Sequence, residues 1–320
     1  MAGWALVGPP ATVAVARLSR RESTTSVLMA EAVGPLLVVP AIGAVGAGAL
    51  LRRRRLTGVA AAATVLHLAW LASELWQARG ARPAGSRKGQ QGGGARMRLF
   101  SANVLFTNAD LGGIAAEVGD ADPDVVILQE VSPPTVAGLE RAGILDRFPY
   151  RSLNPRPDPL GTAILSRYPL DEVAPCVIAG MPMARATVVV GDHRVCLYNV
   201  HTRAPFGPGG VTLWRAQLEA LADVAGTGGK EYPLILAGDF NAGSGHRPFR
   251  TVLAAGMRDA HMARRRWWAT TWPTDIRLTP PFARIDHVLV SPHLEVVGVS
   301  EGVGRGSDHR PVIADLAVVS

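Results

Sequence analysis

At 320 residues the chain has room for one large domain plus an appendage, and its two cysteines form no metal-binding pattern. The formal charge of +7 is unevenly spread: residues 1–96 carry 12 Lys and Arg against 3 Asp and Glu, or +9, which leaves 21 against 23, or −2, for residues 97–320. A slightly acidic main domain argues against a protein that grips long nucleic acid by a broad basic face, and leaves room only for a small basic rim around a cleft.

Residues 1–76 read as a membrane segment. Residues 3–16 are apolar but contain Pro9 and Pro10, so they are a weak span, a re-entrant piece or part of a signal-like start. Residues 32–51, AVGPLLVVPAIGAVGAGALL, are twenty uncharged residues, a length that matches the hydrocarbon thickness of a bilayer. Residues 56–73 again lack Asp, Glu, Lys and Arg, and Trp70 and Trp76 stand near their far end, where aromatic side chains favour the interface. Two or three transmembrane helices are therefore expected. Between the two stronger spans stand Arg52, Arg53, Arg54 and Arg55. Cationic turns tend to stay in the cytoplasm, so the domain that emerges one span later is expected outside it. The expected location is the plasma membrane, multi-pass. Residues 77–96 are Gly-rich with five Arg or Lys, and read as a flexible linker that lies along anionic head groups.

From Met97 the pattern changes to short β-rich runs separated by turns, which marks 97–320 as the main domain. Residues 98–104, 124–129, 162–166, 233–238, 285–290 and 311–319 read as strands, and 173–178, 185–190 and 194–200 as a meander. Helical spacing appears at Leu111, Ile114, Ala115 and Val118, and again at Val211, Trp214, Leu218 and Leu221. Many strands with a few interspersed helices predict an α/β domain of layered sheets with helices outside. Cys176 and Cys196 fall on the first and third strands of the meander, which are not neighbours, so two buried thiols are expected rather than a disulfide.

Several apolar strands finish on a polar side chain: VVILQE on Glu130, LYNVH on His201, LILAGDFN on Asp239 and Asn241, while RIDHVLV carries Asp286. One such acid alone is most often a loop cap or the partner of an arginine. Together they are the inventory of a hydrolytic metal site, with carboxylate and amide oxygens for a hard divalent cation and two imidazoles for proton transfer and phosphate contact. The runs SANV, VVILQEV, GTAILSRYP, NVHT, LAGDFNA, RIDHVLV and GSDHRPV occur in one order along 97–320. In that order they resemble the endonuclease/exonuclease/phosphatase (DNase I-like) superfamily, which includes pancreatic-type deoxyribonucleases, AP endonucleases, bacterial sphingomyelinases and inositol polyphosphate 5-phosphatases.

The resemblance implies a four-layered α/β sandwich behind the N-terminal transmembrane helices, phosphodiesterase or phosphatase chemistry, and Mg²⁺ with Mn²⁺ as the alternative. It implies that Glu130 is the principal metal ligand, with Asn103 beside it and Asp308 on the metal side. Asp239 would activate or orient water, Asn241 would hold the phosphate, and His201 and His309 would flank it. Asp286, on another strand, matches the carboxylate that bonds the last histidine, so the neighbouring Asp308 is not expected to orient His309. His201 stands where AP endonucleases carry a tyrosine, which places the chain nearer the deoxyribonuclease and sphingomyelinase side. Asp158 is a weak candidate for its partner.

Arg264, Arg265, Arg266, Trp267 and Trp268 put three cations beside two aromatic rings near the expected site. They read as a solvated edge, a rim facing lipid head groups or a nucleic-acid stacking patch, whereas Trp272 beside Pro273 reads as core. A domain tethered to a bilayer meets membrane substrates at high effective concentration, which favours a lipid-linked phosphate, pyrophosphate or phosphodiester. The arrangement resembles the membrane-anchored actinobacterial teicoplanin-resistance phosphatases of VanJ type, which implies a polyprenyl pyrophosphate. The alternatives are a surface-tethered Mg²⁺-dependent nuclease and a non-catalytic binding module. The bilayer is the expected partner, nucleic acid is less favoured, and no protein partner is indicated.

Overall fold

The computed structural model describes residues 2–19, 25–78 and 95–319; Arg20, Arg21 and most of the expected linker lie outside them. Four helices come first: α1 (Ala2–Ser19), α2 (Thr25–Ala32), α3 (Val38–Leu50) and α4 (Arg54–Ala78). Val7 of α1, Ala41 and Ala44 of α3, and Leu56, Ala60 and Ala63 of α4 share one small core. Alanine at these contacts lets the helices approach closely. Pro9 and Pro10 remain inside α1, and His67 Nε2 of α4 donates to the Pro10 carbonyl at 3.0 Å.

The expected uninterrupted span at 32–51 is not formed. Gly34 takes φ +54°, a conformation open to glycine, and Pro35 follows it. The segments Thr25–Ala32 and Gly34–Leu50 therefore meet at 90°. Among the described residues one helix alone, Arg54–Trp76, is long and apolar enough to cross a membrane by itself. The bent pair adds a second crossing only if it counts as one broken span.

The main domain opens with β1 (Arg96–Asn103), α5 (Leu111–Ala121), β2 (Val125–Gln129) and α6 (Pro133–Arg141). The strands β3 (Tyr150–Asn154), β4 (Thr162–Ser166), β5 (Leu170–Ile178), β6 (Met181–Val190) and β7 (His193–His201) follow. After α7 (Gly210–Glu231) come β8 (Leu234–Asp239), α8 (Arg247–Ala254), β9 (Arg258–Asp259) and α9 (Ala260–Ala263). The chain closes with β10 (Asp286–Val290), β11 (Leu294–Glu301) and β12 (Val312–Val318). Two six-stranded sheets result, in the orders β11-β12-β1-β2-β4-β3 and β5-β6-β7-β8-β10-β9.

Strand periodicity divides the side chains between layers. Leu99, Ile127 and Ile164 of the first sheet meet Leu197, Ile235, Ala237 and Val288 of the second in a core between the sheets. Their neighbours Phe100, Val126 and Leu128 point the other way, onto Ile114, Val118 and Leu139 of α5 and α6. Leu234, Leu236 and Leu289 likewise point onto Trp214, Leu218 and Phe249 of α7 and α8. Alternate residues of one strand thus serve two cores, which produces the four-layered sandwich. Cys176 and Cys196 are free thiols on β5 and β7, with β6 between them.

The domain is locked at one edge by Asp259. It accepts from His287 Nδ1 at 2.5 Å and caps α9 through Met262 N at 3.0 Å. Burial would raise its carboxyl pKa, but Arg284 and then His287 outweigh burial and hold it well below the usual carboxylate range. A depressed folded-state pKa contributes stability that is complete above the unfolded value, about 3.9, and is lost as pH falls through the folded one. Asp259→Asn should therefore destabilise the detergent-solubilised protein at neutral pH by about 3 kcal/mol, the cost of stranding one partner of a buried pair. Denaturant unfolding measures it, and a loss under about 1 kcal/mol would contradict the assignment.

Candidate active site

Parallel pairing makes β1 and β2 end together, and β7 and β8 end together. His201 is paired in register with Asp239, and Asp239 with Asp286 at the start of the antiparallel β10. Five strand ends thus deliver Asn103, Glu130, His201, Asp239 and Asp286 to one edge of the sandwich. The loop before β12 adds Asp308 and His309. It is tied down by Ser307, whose Oγ donates to the Asn103 carbonyl at 2.7 Å and accepts from His309 N at 3.1 Å.

Asn103 Nδ2 donates to both Glu130 Oε1 (3.0 Å) and Asp239 Oδ2 (3.1 Å), so one amide bridges the two sheets. Glu130 Oε2 accepts from Phe106 N at 2.9 Å. Its backbone takes φ +58°, and that of Asn241 φ +46°. Such a conformation costs a glutamate about 1 kcal/mol or more, and persists where surrounding structure enforces it. Asp239 Oδ1 accepts from Asn241 N at 2.8 Å. The Asn241 amide donates to the Thr202 carbonyl at 3.0 Å and to Asp239 Oδ2 at 3.2 Å, so it braces the carboxylate.

His309 Nδ1 donates to Asp286, at 2.9 Å to Oδ2 and 3.1 Å to Oδ1. Its Nε2 is left facing Asp239 Oδ2 at 3.9 Å and Asp308 Oδ1 at 3.8 Å, too far for hydrogen bonds. Burial alone would lower this imidazole's pKa, but Asp286 and Asp239 outweigh burial and push it up to about 10. Burial raises Asp239 to about 6, against the opposing pull of His309 and His201. His201 Nε2 stands 3.8 Å from both Glu130 Oε1 and Asp239 Oδ2. Among the described residues Asp158 makes no hydrogen bond to it: Arg156 binds Asp158 at 2.7 and 2.8 Å and holds its carboxyl down to about 2. That expectation fails because a guanidinium two residues away is the better partner.

The donor set suits a cation. Asp308 Oδ2 accepts from Trp272 Nε1 at 3.0 Å, while its buried Oδ1 has no hydrogen-bond partner among the described residues. A stranded carboxylate oxygen is costly unless a cation meets it. Together with Glu130 it fits a hard divalent ion. Asp239, Asp286 and His309 also offer donor atoms within 4.8 Å of one another. Of these donors His309 Nδ1 and Asp286 are bonded to each other, whereas Asp308 Oδ1 has no partner among the described residues.

Glu130, His201, Asp239, Asn241, Asp308 and His309 line a cavity of about 280 Å³ with Trp272 in its wall. Trp272, expected in the core, is half-buried: it packs against Ala32, Ala283 and Ile285 and also donates to Asp308. None of Arg264, Arg265, Arg266, Trp267 and Trp268 lines the cleft, so the expected rim is corrected. Arg266 is bonded to Glu301 at 2.5 Å, and Trp267 packs with Leu71, Leu75 and Ala78 of α4. A separate cavity of about 330 Å³ between α4 and α8 contains none of the strand-end residues.

Two functional side chains escaped the sequence. Arg203, exposed, stands at the cleft wall two residues beyond His201. Glu117 of α5 accepts from Val303, Gly304 and Arg305 N–H at 2.7 to 3.2 Å and so fixes the loop that carries Asp308 and His309. Adjacency to NVHT could have indicated Arg203. Glu117 lies 186 residues from the loop and carries no local signal.

A histidine whose folded pKa lies above the unfolded value contributes stability that is full below about 6.5 and lost as pH rises through the folded value, here about 10. Asp286→Asn removes the main attraction and should lower the His309 pKa in metal-free protein by at least about 1 unit. NMR titration of the labelled imidazole reads this, and a variant still titrating near the wild-type value would contradict the pairing.

The model of the endonuclease/exonuclease/phosphatase family matches residues 100–309. No curated protein sequence matches the chain. Among solved structures, truncated TDP2 from Caenorhabditis elegans aligns with TM-score 0.56 and 18% identity, covering 70% of this chain and 98% of that one. An endonuclease/exonuclease/phosphatase from Beutenbergia cavernae aligns with TM-score 0.55 and 21% identity, covering 71% and 72%. TDP2 from D. rerio, solved with a single-strand DNA product, aligns with TM-score 0.59 and 19% identity, covering 70% and 100%. These neighbours share the fold, while the family model covers most of the chain and the whole strand-end constellation: the chain belongs to the endonuclease/exonuclease/phosphatase family.

Proposed function

We propose that this protein is a membrane-anchored, Mg²⁺-dependent phosphoester hydrolase that acts outside the cytoplasm on a lipid-linked phosphate, with a polyprenyl pyrophosphate as the leading substrate. The observation that carries the reading is the seat of the catalytic domain on α4. Leu71, Leu75 and Ala78, at the end of the apolar helix, pack with Met262 and Trp267 of the domain. A domain seated on the end of an apolar span works near head groups, which supports a lipid-linked substrate. Arg52, Arg53, Arg54 and Arg55 stand at the opposite end of α4, which favours the cytoplasm for that end and the outer side for the cleft.

Glu130, Asp308 and Asn103 would hold Mg²⁺, or Mn²⁺ in its place. When bound, the cation supplies charge neutralisation at the phosphoryl oxygens. The chain's own residues account for the rest. Asp239, braced by Asn241 and raised by burial toward the working pH, orients the attacking water and takes its proton. His309, kept cationic by Asp286, directs Nε2–H at the phosphoryl group and meets the charge that develops there. His201 closes the other side, and Arg203 at the mouth adds a cation for the incoming phosphate. A tethered nuclease is the second reading, favoured by the structural neighbour solved with single-strand DNA product.

Full-length protein in lipid nanodiscs with Mg²⁺ should release phosphate from polyprenyl pyrophosphate. Glu130→Ala and His309→Ala should each lose roughly 10³-fold in rate. Cleavage of plasmid DNA with the lipid untouched would refute the reading in favour of the nuclease. For topology, a reporter active only outside the cytoplasm, fused after residue 96, should be active; a silent fusion would contradict the orientation.

A further inference from the structure

The short helix α2 belongs to the N-terminal segment, yet it is built into the catalytic domain. Leu28 is buried among Trp214, Phe240 and Phe249. The Leu28 carbonyl accepts from His246 Nε2 at 2.9 Å, while His246 Nδ1 accepts from Gly243 N at 3.0 Å. Gly245 approaches so closely that a Cβ there would sit 1.9 Å from the Glu31 carbonyl oxygen. The 243–246 loop that grips α2 begins two residues beyond Asn241. The anchor is thus fixed directly to the loop that follows the catalytic strand β8.

This docking gives the cleft a composite wall. Met29 and Ala32 of α2 line the same cavity as Glu130, His201, Asp239, Asn241, Asp308 and His309. Leu160, Met181, Pro205 and Phe206 supply further apolar lining. Phe206 is 43% exposed at the mouth, an apolar ring left facing outward. One cavity therefore combines carboxylates and imidazoles with a methionine, a phenylalanine and aliphatic groups in its lining. A hydrophilic phosphoester gains nothing from such walls. A hydrocarbon chain on a bound phosphate or pyrophosphate loses water by lying against such a lining.

We propose that α2 is the tail-binding wall of the catalytic cleft, and that Met29 with Phe206 selects phosphate and pyrophosphate esters by the length of their hydrocarbon chain. This rests on the reading of the chain as a lipid phosphohydrolase and adds to it a specificity device. The anchor tethers the domain and also completes the substrate site. The right-angle bend at Gly34 is what frees α2 to lie on the domain while α3 turns into the helical bundle.

The test uses the full-length protein in detergent micelles with two pyrophosphates that differ only in chain length, farnesyl and dimethylallyl pyrophosphate. Wild type should favour farnesyl in kcat/KM by at least about tenfold, with the preference in KM. Met29→Glu and Phe206→Ser should each reduce that preference about tenfold or abolish it, and Met29→Leu should retain it. Two variants on separate segments of the chain guard against a folding defect in either. Equal kcat/KM for both substrates in wild type, or variants that keep the wild-type ratio, would overturn the proposal while leaving lipid hydrolysis intact. Wild type that hydrolyses neither pyrophosphate would overturn the parent reading and this one with it.

Discussion

The structure turns on a charge problem at one edge of the sandwich. Glu130, Asp239, Asp286 and Asp308 converge there, and Asp239 and Asp286 are each only 2% exposed. Carboxylates so placed repel one another and have lost most of their water, which is affordable only with protons, amide donors or cations nearby. The fold answers with specific groups. Asn103 donates to two of the acids, His309 is held cationic between Asp286 and Asp239, and Trp272 covers one oxygen of Asp308. One buried oxygen of Asp308 is left over, and a divalent cation is the natural partner for it.

Sheet register is the means by which this edge is made. Because β7 and β8 run parallel with His201 opposite Asp239, and β10 returns antiparallel with Asp286 opposite Asp239, three functional residues share one row of the second sheet. The first sheet adds Asn103 and Glu130 from parallel neighbours. Between the sheets, just behind the site, Gln129 Nε2 donates to Asn199 Oδ1 at 2.6 Å, and Asn199 bonds two carbonyls of the first sheet. A polar link inside an otherwise apolar core pins the offset of one sheet on the other, since any slip would strand buried donors.

Much of this was legible in the sequence, because strands buried on both faces are continuous apolar runs and their polar ends stand out. The strands ending at Asn103, Glu130, His201 and Asp239 fall within one or two residues of the expected bounds. That Asp286 rather than the neighbouring Asp308 orients His309 agrees with what the resemblance implied: both neighbours lie in the loop before β12, and His309 Nδ1 bonds Asp286. What was not legible depended on distant contacts. β3 is a half-exposed edge strand without alternation, and β11 loses its period-two pattern at the bulge between Val296 and Gly298. The pairing of Arg266 with Glu301 and the seating of Trp267 on α4 are long-range choices that no local charge run reveals. The bend at Gly34 was hidden for another reason: hydropathy counts apolar residues and is blind to a left-handed glycine inside them.

On the proposed reading the leftover charge at this edge is balanced by a divalent cation held by Glu130 and Asp308, with His309 and Asp286 bonded to each other. An anomalous difference map from a crystal of the full-length protein soaked in Mn²⁺ tests it directly. The account predicts one peak at coordinating distance, about 2.0 to 2.3 Å, from a Glu130 oxygen and from Asp308 Oδ1, with the His309 Nδ1 bond to Asp286 intact. A peak among Asp239, Asp286 and His309 with the imidazole as ligand, or no peak at this edge, would contradict it.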